Sequence, residues 1–154
     1  MNPFAAKHIS RSHTIVLNGP PAVVFPLFTP EGETHWVRDW RPVYLHPASG
    51  RTGEGMVFMT GHDREETFWS LVRFDPVRCV ARYARVTPAS RFGFVEVACE
   101  DSGGMQTRAT VTYTYTALTD AGNAFIDAFT AERFREMIEA WQVEIDDYLA
   151  RAGA

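Results

Sequence analysis

At Thr119 the hydrophobic repeat of this chain changes from two residues to 3.6, and that switch narrows the fold more than any other feature. Before it, Ala109, Val111, Tyr113, Tyr115 and Ala117 alternate with Arg108, Thr110, Thr112, Thr114 and Thr116. Such alternation predicts a half-buried strand with one apolar, aromatic face and a threonine ladder facing water, and a one-residue slip would invert it. After it, Phe125, Ala128 and Phe129 share one stripe, and Phe134, Met137, Ile138, Trp141, Ile145, Tyr148 and Leu149 share another. That spacing is the apolar face of a helix. Phe129 and Phe134 are out of phase, and Thr130 stands at the break as a good N-cap. The expectation is a short helix over about 121–129, a kink, and a long amphipathic helix ending near Arg151. The long piece would reach roughly 30 Å at 1.5 Å per residue.

Upstream of the switch the chain reads mostly as strands. His8–Leu17 is extended and is stopped by Asn18-Gly19-Pro20-Pro21. Two short helices should follow. The first buries Val23, Val24, Phe25, Leu27 and Phe28; the second starts at Thr29-Pro30-Glu31, cap, proline and acidic residue in order, and runs to about Val37 or Arg38. Further strands are expected at 43–46, 55–61, 66–74, 79–86, 91–100 and 106–118, separated by short turn segments such as Asp75-Pro76, Thr87-Pro88 and Asp101-Ser102-Gly103-Gly104. Connections this short join antiparallel neighbours. Alternation places Ala81, Tyr83, Val95, Val97 and Cys99 inside and Arg82, Glu96 and Glu100 outside. The segment Thr67–Val72 is apolar on both faces and has no readable facing.

One sheet and one long helix over 154 residues fit a single α+β domain with an ordinary core. A lone helix cannot cover about seven strands lying flat, so the sheet must curl around it, with the two short helices closing one end. A net charge of −4, a single lysine (Lys7) and scattered arginines argue against nucleic acid, whose phosphates demand a basic stripe. No run of apolar residues is long enough for a membrane span or a signal peptide, so the expected setting is the cytoplasm, with Cys79 and Cys99 as free thiols in neighbouring strands.

This order of elements resembles the helix-grip fold of the START/SRPBCC superfamily, which includes the birch-pollen allergen, polyketide cyclases and lipid-transfer domains. The resemblance spans nearly the whole chain. It is carried by Val24 through Glu33, Trp36, Trp40, Gly53-Glu54-Gly55, Tyr113 through Leu118, Gly122-Asn123-Ala124-Phe125 and Trp141, and it is to a bacterial subfamily. What it implies is an apolar or amphipathic small molecule held in an internal cavity, with no cofactor. Projected onto this chain, the implied lining is Trp36 and Trp40 near the mouth, Tyr83, Val95, Val97, Val111, Tyr113 and Tyr115 on the sheet, and Phe134, Met137 and Trp141 on the long helix.

None of the chemistry-bearing spacings selects a reaction. Glu31, His35 and Asp39 stand four apart on the second short helix, as an acid–base pair or a surface pair would. His8, His13, His46 and His62 lack ligand spacing, and no metal is expected. No nucleophile elbow, Walker loop or dinucleotide fingerprint occurs. Arg73 and Arg85 could point outward or into the cavity as anion anchors. The leading expectation is binding of a small hydrophobic molecule for transport, storage or sensing. A cyclase- or aromatase-type enzyme and a chaperone-ATPase activator are the alternatives, as monomer or homodimer.

Overall fold

A computed structural model describes residues 4–153. Strand β1 (His8–Leu17) is followed by α1 (Pro21–Val24), a 3-10 turn (Phe25–Phe28) and α2 (Pro30–Glu33). Six strands come next: β2 (Val43–His46), β3 (Val57–His62), β4 (Glu65–Asp75), β5 (Val80–Thr87), β6 (Arg91–Gly103) and β7 (Gln106–Ala117). Two helices, α3 (Asp120–Ala128) and α4 (Ala131–Arg151), complete the chain.

The seven strands form one antiparallel sheet in the order β1-β7-β6-β5-β4-β3-β2. Sequential hairpins run from β2 to β7, and β1 closes on β7 with Ile9 opposite Tyr115 and Ile15 opposite Ala109. The expected threonine ladder lies on the outer face. There, hydroxyl pairs Ser10–Thr114, Ser12–Thr112 and Thr14–Thr110 stand 3.3, 3.0 and 2.9 Å apart. On the inner face Ala109, Val111, Tyr113, Tyr115 and Ala117 are buried. The antiparallel, helix-gripping arrangement read from the sequence is the observed one.

Helix α4 lays Phe134, Ile138, Ile145 and Leu149 into the concavity. Thr130 caps it by accepting a hydrogen bond from the Arg133 N–H. Polar tethers hold it along β1: His13 Nε2 meets Glu139 Oε2 at 3.0 Å, and the Asn18 N–H donates to Asp146 Oδ1 at 2.9 Å. Helix α3 docks on the turn before β6 through Gly122, where a Cβ would sit 1.9 Å from the Ser90 carbonyl oxygen. Only glycine allows that approach.

Three local expectations change. Helix α2 ends at Glu33, short of Val37. The chain continues as tightened turns, with the Trp36 N–H donating to the Glu33 carbonyl, before Asp39 takes a left-handed φ of 60°. Cys79 sits at a left-handed turn residue just outside β5, although its carbonyl accepts from the Cys99 N–H, so the two free thiols are neighbours as expected. Strand β4 now has a facing: Thr67, Trp69 and Leu71 point inward, while Phe68 and Val72 are exposed.

Candidate functional site

The short helices position the deep end of the site. Thr29 caps α2 through its hydroxyl, which accepts from the Gly32 N–H, and α2 then aims Glu33 under the sheet. Two indole N–H groups stitch the following turns to the preceding chain: Trp36 Nε1 donates to the Leu27 carbonyl and Trp40 Nε1 to the Pro30 carbonyl, both at 2.8 Å. Across from them β5 presents Tyr83, whose hydroxyl donates to the Phe28 carbonyl at 2.7 Å. These bonds satisfy the polar ends of rings whose faces remain apolar.

Between these parts lies an inner cavity of about 80 Å³. Its walls are Phe28, Val37 and Trp40 from the short-helix segment, Phe58 and Trp69 from β3 and β4, Tyr83, Val95, Val97 and Tyr113 from the centre of the sheet, and Trp141 from α4. The rings interlock: Phe58 stacks on Trp69 at 5.7 Å, and both meet Tyr83 edge-on. An 80 Å³ space holds about two or three waters or a small organic fragment. By itself it is smaller than an ordinary small-molecule pocket.

Beside it is an outer cleft of about 450 Å³, within the ordinary range of small-molecule pockets. It shares Val37, Trp40, Trp69 and Tyr113 with the inner cavity. Its own walls include Thr67, Arg85, Arg91 and Tyr115 from the sheet, Phe125 and Phe129 from α3 and its end, and Met137 from α4. The turn residues His62 and Asp63, with Arg38, Asp39 and Arg41, rim its mouth. A larger and more open concavity of about 670 Å³ adjoins the cleft, sharing Glu65 and Phe125 with it, and is lined mostly by exposed residues such as Arg64, Glu66, Pro88 and Ala121.

Charge enters this apolar setting at three places. Glu33 lines the inner cavity, and burial holds its carboxyl well above the usual carboxylate range. Burial also raises the phenols of Tyr83 and Tyr113, with the nearby Glu33 pushing in the same direction. Arg91 is 5% exposed, forms a bidentate pair with Glu65 at 3.2 and 3.3 Å, and lies 3.5 Å from the centre of the Phe125 ring. Arg85 lies over Trp69 at 4.4 Å and near Tyr115 at 5.4 Å, and its only hydrogen bond is a long one, 3.5 Å to the Thr67 hydroxyl. The Nε atoms of both arginines are buried without a partner.

Of the eleven residues expected to line a cavity, Trp40, Tyr83, Val95, Val97, Tyr113, Tyr115, Met137 and Trp141 line one of the two spaces. Trp36, Val111 and Phe134 lie in the packed core instead. Trp36 is held there by its bond to Leu27 and by edge contact with Trp141, and Phe134 is held against Tyr113 and Phe129. Arg85 faces the cleft and Arg73 is exposed, because a bulge between Leu71 and Arg73 shifts the β4 register. His35 is exposed, stacked on Tyr148 and apart from both spaces.

Glu33, Trp69 and Arg91 were missed as lining. Glu33 reads from sequence as an exposed first-turn acid, and Arg91 as a strand-end residue. The facing of Arg85, open from the sequence, is settled by its place among the cleft-lining residues.

No protein-family model matches the chain, and no curated protein matches it by sequence. Solved structures do. A norcoclaurine synthase point mutant from Thalictrum flavum, bound to a transition-state analogue, superposes with a TM-score of 0.70 at 8% identity, covering 99% of this chain and 100% of that one. Ara h 8.0201 gives 0.68 at 13% identity, covering 94% and 99%. The ZhuI aromatase/cyclase from Streptomyces sp. R1128 gives 0.54 at 20% identity, covering 93% and 87%. Identities this low speak to architecture, and they agree with the strand order and the gripped helix: this chain has the helix-grip fold that these structures share.

Proposed function

We propose that this protein binds a small amphipathic molecule, its body in the outer cleft and one end in the inner cavity. The observation that carries this reading is that the two spaces adjoin, with Val37, Trp40, Trp69 and Tyr113 as shared walls. The inner cavity alone is too small for a guest of ordinary size, and the cleft alone is open to water. Together they supply an apolar wall with a few polar groups at depth, the composition of a small-molecule site. The named neighbours support the reading, since one was solved in complex with a transition-state analogue and another is called an aromatase/cyclase.

Native mass spectrometry of protein purified from its own host tests it. A co-purifying organic adduct, released by denaturation, is the expected result. Repeated preparations without an adduct, together with no thermal shift across a panel of lipids and polyketide-like aromatics, would overturn the proposal.

A second reading, an enzyme of the cyclase or aromatase type, is favoured by Glu33. A carboxyl in the wall of an apolar cavity, where burial favours its protonated form, can donate a hydrogen bond or a proton to a carbonyl oxygen brought there. On this reading Glu33→Gln retains binding of the co-purified molecule and abolishes its turnover. Unchanged turnover in that variant would remove Glu33 from the chemistry.

A further inference from the structure

The outer cleft contains a positive charge that the protein leaves unpaired. An arginine is ionised at any physiological pH and offers five N–H donors. Arg91 spends its charge on Glu65 through two parallel hydrogen bonds. Arg85 has no such partner: no carboxylate among the described residues lies within ion-pair distance of it. Its guanidinium carbon lies 4.4 Å from the centre of the Trp69 ring and 5.4 Å from that of Tyr115, its Nε is buried and unsatisfied, and its one hydrogen bond is long. A guanidinium resting against aromatic rings can still make in-plane hydrogen bonds from its edge. Glu33, the acidic side chain of the adjoining cavity, stands beyond ion-pair reach of it.

We infer that Arg85 is an anion-recognition residue, and that the ligand of this site is an organic acid whose carboxylate docks on the Arg85 guanidinium while its uncharged end enters the inner cavity. This deepens the proposed function and rests on it. The polarity of the ligand follows from the two ends of the site. The inner cavity, walled by apolar rings, admits a neutral group and would strip an anion of water without offering it a counter-charge, whereas the cleft at Arg85 holds a positive charge with no partner. A carboxylate there would accept two parallel N–H bonds, the geometry in which a guanidinium binds most selectively.

A matched pair of probes tests the inference: 2-naphthoate and 2-naphthalenemethanol, which share a ring system and differ in the charged group, titrated calorimetrically. The wild-type protein should bind naphthoate about 10- to 100-fold more tightly than the alcohol, the worth of a charge-assisted hydrogen bond. Arg85→Met should erase that preference and leave the affinity for the alcohol within about 3-fold, the spread normal for such comparisons. Arg85→Lys, which keeps the charge but not the planar fork, should restore part of it. A thermal melt guards against misfolding, and ligand-free Arg85→Met should melt no lower than wild type because it loses an uncompensated charge. Equal binding of both probes to the wild type, or a preference that survives Arg85→Met, overturns the inference and leaves the binding function standing. A melt of Arg85→Met well below wild type would instead make the arginine structural and also overturn it. No binding of either probe would count against both.

Discussion

Glu33 shows how a single side chain records its surroundings. In the unfolded chain its carboxyl ionises near the ordinary glutamate value of about 4.3. In the folded protein burial keeps the proton on to a higher pH. Below the unfolded value both states are neutral, and the group has no effect on stability. As pH rises above it, the unfolded state releases a proton that the folded state retains, so stability falls until the folded carboxyl also ionises. Glu33→Gln is neutral throughout. It should raise the thermal midpoint at pH 7 to 8, and the gain should vanish near pH 4. A gain of equal size at both ends of that range would mean that packing, and not ionisation, sets the difference. Cys99 sits in a comparable environment, with burial pushing its thiol up to about 12, so it should react slowly with thiol reagents at neutral pH.

Helices α3 and α4 depend on distinct local devices. For α4 the device is the Thr130 cap, visible in the sequence as a threonine at the phase break between Phe129 and Phe134. For α3 it is the absence of a side chain at Gly122, which lets the first turn of the helix rest on Ser90; the Leu118 N–H donates to the same Ser90 carbonyl at 2.7 Å. A methyl group there must push α3 off the sheet or break that bond. Gly122→Ala should cost about 1 to 3 kcal/mol, as overpacking of a tight contact does, and urea denaturation would measure it. Because Phe125 and Phe129 belong to α3 and its end and line the cleft, the same variant should also loosen ligand binding. An unchanged urea midpoint would show that the turn at Ser90 yields without penalty.

At the scale of the molecule, the sequential antiparallel pairing from β2 to β7 and the gripping helix were legible because short turns leave antiparallel pairing as the sole option and because the period switch at Thr119 separates sheet from helix. The closure of β1 on β7 joins segments far apart in sequence and was not legible. The walls of the site were legible wherever strict alternation held, as for Tyr83, Val95, Val97, Tyr113 and Tyr115. Alternation could not orient Thr67–Val72, where Phe68 and Val72 stay exposed beside inward Trp69 and Leu71. Nor can periodicity reveal a volume. Whether Trp36 fills space or borders it depends on how closely Phe28 and Trp141 approach, and those contacts lie far apart in sequence. The charges were the least legible part, because the partner that neutralises Arg91 and the lack of one for Arg85 are facts of three-dimensional neighbourhood.

The placement of the indoles has a practical consequence. The chain has four tryptophans. Trp40, Trp69 and Trp141 border the inner cavity, and Trp36 packs edge-on against Trp141. Ultraviolet emission from this protein therefore originates almost wholly at one spot, with no remote fluorophore to dilute it. A guest displacing water there should shift the emission to shorter wavelength or quench it, so occupancy can be read optically in unlabelled protein and even in crude fractions enriched for it.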